Sequence, residues 1–253
     1  MSSKPNYTSS LVVLTSLFFM WGLITSLNDI LIPHLRSSFS LSYFQASLVQ
    51  FCFFFAYFVM SYPAGKIVSK FGYKQGIVLG LSIAAIGCLC FYPSSAMRSY
   101  PIFLISLFIL ASGLTLLQVS ANPYVNLLGT PETAAKRLNL TQAFNSLGTA
   151  IGPMVGGMFI LSTVVLTSEE KSALSPSELQ AHLVNEASSV QIPYIVLTVA
   201  LVLLAVVILM CKLPKLTSDK LEADTLLQGK LTQHKHLMFG VIGIFMYVGA
   251  EVS

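Results

Sequence analysis

Long apolar blocks alternate along this chain with short polar breaks. A helix needs about 20 apolar residues to cross a hydrocarbon core of about 30 Å, and six blocks have that length: 11–35, 44–68, 75–92, 101–128, 139–161 and 192–211. A seventh begins near Leu237 and reaches Ser253, too short to cross, so the chain reads as stopping inside a further span. The pattern predicts an all-α integral membrane protein: a six-helix bundle over 1–211, a cytoplasmic linker over 212–236, and the start of a second bundle over 237–253.

Composition agrees. Of 253 residues, 55% are hydrophobic and 9% charged, where a soluble domain carries about a quarter charged. The first block is too long for a signal peptide's apolar region and lacks a small-residue cleavage pattern, so it reads as an uncleaved span. Cys52, Cys88, Cys90 and Cys211 all fall within spans and read as small apolar packing residues. The net charge of +4 forms no stripe on a soluble face, which excludes a nucleic-acid partner. The basic residues sort by loop instead. With the N-terminus inside, Lys4, Lys66, Lys70, Lys74, Lys136, Arg137, Lys212, Lys215, Lys220, Lys230 and Lys235 are cytoplasmic, against Arg36, Arg98 and Lys171 outside. The chain therefore reads as a multi-pass protein of the cell (inner) membrane with a cytoplasmic N-terminus.

Two longer loops have signatures of their own. The external one holds Ser175-Pro176-Ser177-Glu178, a capping serine, a proline at the first helical position and a glutamate at the third, which predicts a short surface helix. The internal one mixes lysines with Asp219, Glu222 and Asp224, as a solvated linker between membrane bundles requires.

Polar groups at membrane depth carry the chemistry. Asp29 would cost about 3 kcal/mol or more facing lipid, so it must face protein or water. Trp21, Thr25 and Asp29 fall at i, i+4 and i+8, with Asn28 beside them, and read as one wall of a polar cavity. There Asp29 would take up and release a proton as the cavity opens to either side; a buried carboxyl held by Asn28 is the structural alternative. Gln118 and Asn122 share a face of the fourth span, and Asn139, Gln142 and Asn145 one of the fifth. Amides donate and accept together, which suits a ligand rich in hydroxyls; hydrogen bonding between helices is the plainer reading. Glu251 is a second acid at membrane depth. The pairing of Asn28-Asp29 in span one with Asn122-Pro123 in span four echoes a repeat of spans one to three as four to six, a transporter signature.

Two motifs add mechanics. "GKIVSKFGYK", 65–74, resembles the cytoplasmic motif of the major facilitator superfamily through Gly65, Gly72 and Lys74, with Ser69 where an aspartate is usual. "GTAIGPMVGG", 148–157, spaces small residues for close helix approach and resembles the fifth-span motif of proton-coupled antiporters.

Longer blocks extend the likeness. "LNDILIPHL", "QFCFFFAYFVMSYPAGKIVSKFGYKQGIVLG", "LLQVSANPYVNLLGTPETAAKRLNLTQAFNSLG" and "YVGAEVS" resemble the fucose and glucose/galactose symporter family of that superfamily, in family order over nearly the whole chain. The resemblance implies a twelve-helix carrier of which this is the first half, with the C-terminal half missing. It further implies that Asp29 serves cation coupling, by H+ or Na+, and that Gln118, Asn122, Gln142 and Asn145 face the sugar. The fucose branch has glutamate in place of Gln118, and glutamine there with "YVGAEVS" resembles the glucose/galactose branch.

The expected function is uptake of a hexose with a cation across the lipid bilayer, Trp21 or Phe144 covering a sugar face and Glu251 standing as a second acid. A drug/proton antiporter is the nearest rival, and a non-catalytic adaptor a more distant one. An enzyme would need converging nucleophile, base or metal ligands, and His34, His182, His234 and His236 all lie in or beside loops. No cofactor or metal site is expected.

Overall fold

The computed structural model describes residues 7–38, 42–97, 99–159, 174–175, 177–179, 181, 191–211 and 235–252, with the backbone alone at 28–38, 46, 159, 237, 245 and 247–252. Seven long helices run through them: α1 Thr8–Ser38, α2 Tyr43–Phe71, α3 Tyr73–Ala96, α4 Tyr100–Leu127, α5 Ala134–Phe159, α6 Gln191–Met210 and α7 Lys235–Val252. Residues 1–216 form one compact unit and 217–253 another, the latter holding α7. The predicted linker falls largely on 212–234, outside the described residues.

Local chemistry sets the helix ends. Ser42 caps α2 in a reciprocal box, its hydroxyl accepting from the Gln45 N–H at 3.2 Å while its own N–H donates to the Gln45 side chain at 2.9 Å. Gly72, at φ 82°, ends α2 and starts α3, a backbone that favours glycine. Arg137 ties off α4: its guanidinium donates to the carbonyls of Val125 at 3.1 Å, Asn126 at 2.9 Å and Thr130 at 3.2 Å. Those carbonyls belong to the last turn and the loop beyond it, where a cation meets the negative end of the helix dipole.

Packing inside the first unit follows the repeat. α1 pairs with α5, α2 with α4, and α3 with α6, while α3 also lies closely on α4. Exchanging α1–α3 for α4–α6 turns the first pair into the second and returns the third to itself, as a three-plus-three repeat requires. Small residues let the backbones approach: a methyl added at Gly80 would stand 2.8 Å from the Leu117 nitrogen, and one at Gly152 2.6 Å from the Ser26 hydroxyl.

Among the described residues, five helical stretches are long and apolar enough to cross a membrane: Thr8–Leu27, α2, α3, α4 and α6. α5, on the fifth expected span, is described as far as Phe159 and carries Lys136, Arg137 and the amides Asn139, Gln142 and Asn145 in its first half.

The surface loop behaves as its sequence predicts. The Ser175 N–H donates to the Glu178 carboxylate at 3.0 Å, the Glu178 N–H returns to the Ser175 hydroxyl at 3.4 Å, and 177–179 are helical. The Ser175 hydroxyl, and after it the Ser175 backbone N–H, hold the Glu178 carboxyl below the usual glutamate range. The four cysteines are unpaired, and Cys52 donates to the Leu104 carbonyl at 3.4 Å.

Candidate functional site

The amide faces of α4 and α5 meet. Gln142 donates to the Asn122 side-chain oxygen across the two helices at 3.4 Å, a long bond that leaves most of both amides' capacity unused. Gln118, one turn before Asn122 and half-buried, makes no side-chain hydrogen bond among the described residues. Pro123 lies within α4 and withdraws the N–H that would otherwise reach the Val119 carbonyl. This turn therefore concentrates donors and acceptors in a bundle that otherwise spends them.

Asn145 belongs to a different surface. Its amide donates to the Phe18 carbonyl of α1 at 3.1 Å, docking α5 on α1. The same seam includes Ser26, whose hydroxyl donates to the Thr149 carbonyl at 3.0 Å, and the close approaches of Gly22, Gly148 and Gly152. The glycines of "GTAIGPMVGG" up to Gly152 are thus used in helix packing against α1, while Gly157 has nothing within 4 Å.

Trp21, expected in a polar wall, is 8% exposed and packs 5.5 Å from the Phe18 ring of its own helix. Thr25, expected on the same polar wall, turns its hydroxyl back to its own helix at the carbonyls of Trp21, 3.1 Å, and Gly22, 3.0 Å. Asn28 and Asp29 lie on the helical backbone of α1, and Glu251 on that of α7; their side chains are outside the described set.

A cavity of about 740 Å³ opens between the first half of α1 and α5, with Phe19, Met20, Phe144 and Leu147 among its walls. Its hydroxyls are occupied: Thr15 donates to the Leu11 carbonyl at 2.7 Å and Ser16 to the Val12 carbonyl at 3.1 Å. The cavity and the amide cluster therefore do not coincide. For a polyhydroxylated ligand the amides are the better guide, because an apolar wall cannot orient hydroxyls. Phe144, 39% exposed, is the aromatic with a face to offer, rather than Trp21.

In the loop motif, Gly72 makes the turn and Gly65 has open space around it. Ser69 donates to the Lys66 carbonyl at 2.9 Å, within its own helix. Lys74 reaches the other end of α6, donating to the carbonyls of Leu209 at 2.9 Å and Cys211 at 2.8 Å.

Sequence reasoning missed the carbonyls that absorb Asn145 and Lys74. Periodicity gives the face of a side chain, but a contact between helices also needs their relative height and rotation.

A bundle of apolar helices paired as a three-plus-three repeat, with an amide cluster beside the proline of the fourth helix, is the architecture of a membrane transporter half. The Major Facilitator Superfamily matches over residues 13–250, and the chain belongs to that family. It is 51% identical over 252 residues to a glucose/galactose transporter of Brucella abortus, covering 100% of this chain and 58% of that protein. It is 38% identical over 254 residues to the L-fucose-proton symporter of Escherichia coli, covering 98% of this chain and 58% of the relative. A crystal structure of the E. coli fucose:proton symporter superposes with a TM-score of 0.76 at 38% identity, over 90% of this chain and 54% of that one. The chain thus spans 58% of the length of these sequence relatives. They are named as transporters and symporters, not enzymes, which removes the membrane-enzyme reading.

Proposed function

We propose that this chain is the first half of a secondary carrier that takes up a glucose- or galactose-like hexose with a proton across the cell (inner) membrane, its N-terminus in the cytoplasm. The observation that carries the reading is the Gln118, Asn122 and Gln142 cluster, whose amides keep capacity to donate and accept beyond the one Gln142–Asn122 bond, beside Pro123 of α4. The names of the relatives, glucose/galactose transporter and L-fucose-proton symporter, support the substrate class and the coupled ion.

In this mechanism the three amides read sugar hydroxyls from α4 and α5. Asp29 holds the proton, with Glu251 a second acid on the seventh helix. Asn28 steadies the carboxyl, and Asn145 fixes α5 on α1 so that acid and amides move together. A second six-helix half closes the cavity. Sugar and proton bound together favour the rocking of one half against the other, so that accumulation follows the proton gradient. Gly65, Gly72 and Lys74 shape the loop at which the two halves pass.

The apolar cavity beside α1 favours one competing reading, a drug/proton antiporter carrying a lipophilic solute. Equilibrium binding to a purified carrier that joins this chain to its second half separates the two. Hexose binding competed by galactose and weakened about tenfold in Gln118→Ala is expected; binding of a lipophilic cation with no hexose binding would overturn the sugar reading.

A further inference from the structure

α3 and α6 touch at both ends as well as along their length. At one end, Lys74 in the first turn of α3 donates to the carbonyls of Leu209 and Cys211, where α6 finishes. At the other, Gln191, the first residue of α6, donates through its side chain to the Ser95 hydroxyl at 3.3 Å, one residue before α3 finishes. Each helix therefore reaches from its start onto the finish of its antiparallel partner. Between the two ends, Tyr194, Leu197, Leu201, Ala205 and Ile208 recur every three or four residues as the buried stripe of α6, and the Tyr194 ring lies 4.2 Å from that of Phe91.

The geometry points to Lys74 and Gln191 as positioning residues, the two ends of a clamp that fixes α3 and α6 as one body. The chemistry at each end suits the role. The last carbonyls of a helix lack partners within it, and an ammonium there meets the negative end of the dipole. The neutral amide and hydroxyl form the other end. α3 in turn has close backbone contact with α4 at Gly80 and Gly113, so the clamped pair extends to the helix that bears Gln118 and Asn122. In a carrier, this block would keep the amide cluster rigid while the halves rock. Lys74 would then act inside its own half. That role in transport rests on the carrier reading; the clamp itself does not.

Distances between spin labels on this chain, in a cysteine-free background in lipid nanodiscs without sugar, test it. One label pair replaces the exposed Gln75 and Met210, the other the exposed Tyr92 and Ile192. Lys74→Met is expected to broaden the first distribution and leave the second narrow, Gln191→Leu to do the reverse, and Lys74→Arg to keep both narrow, since a guanidinium also reaches the carbonyls. The clamp is overturned if Lys74→Met leaves the first distance as narrow as in the parent, or if either single change loosens both ends alike. A failure of sugar binding would leave these distances untouched.

Discussion

Gln118 and Asn145 are both amides of the predicted sugar face, yet they stand in opposite states. Asn145 has spent its N–H on the Phe18 carbonyl, whereas Gln118 has no hydrogen bond to lose among the described residues. Asn145→Ala should therefore lower stability by about 0.6 kcal/mol, the usual worth of such a bond between membrane helices. Gln118→Ala should leave stability within about 0.5 kcal/mol and weaken hexose binding about tenfold, roughly the value of one hydrogen bond. Thermal unfolding in detergent, paired with binding to the carrier with its second half, reads both. If Gln118→Ala lowered stability as Asn145→Ala does, the amide would be a packing residue. Residue types and spacing made these amides legible as candidates. Which of them were free was not legible, because that depends on the heights at which α1, α4 and α5 cross. Trp21 shows the same limit: a side chain read as cavity wall is buried beside Phe18.

Helix boundaries were legible wherever an end was written in side chains. Ser175 with Glu178 forms the predicted cap and Gly72 takes the turn; Ser42 with Gln45 forms a cap of the same kind, not singled out beforehand, at α2. The α4 end was less so, since Arg137 caps it from a following helix and no local pattern announces that. The α1–α5 seam gives a stability prediction. Gly152→Leu forces a side chain onto Ser26 and should cost about 1–3 kcal/mol as overpacking. Gly65→Ala meets open space and should be neutral or slightly stabilising, alanine being the better helix former. Equal melting temperatures for the two variants would contradict the seam. The Ser175 cap gives a pH dependence. Because the folded Glu178 carboxyl titrates below its unfolded value, its contribution is complete above the unfolded value, about 4.3, and is lost as pH falls through the lowered folded one. Amide exchange at Ser175 should quicken over that acid range relative to intrinsic rates, and not in Ser175→Ala, where the cap is absent at every pH.

For the molecule as a whole, hydropathy gave the membrane class and the order of spans because burial in hydrocarbon imposes one plain requirement on long segments. The fifth helix carries amides within its span, and they tie it to its neighbours, α1 through Asn145 and α4 through Gln142. The whole-molecule claim is that an acid on the first helix couples a proton to sugar read by amides on the fourth and fifth. Its most direct test is galactose transport in proteoliposomes containing the carrier with its second half, under an imposed pH gradient. Asp29→Asn should abolish accumulation above the external concentration while exchange of labelled for unlabelled sugar continues. Normal accumulation in that variant would contradict the account.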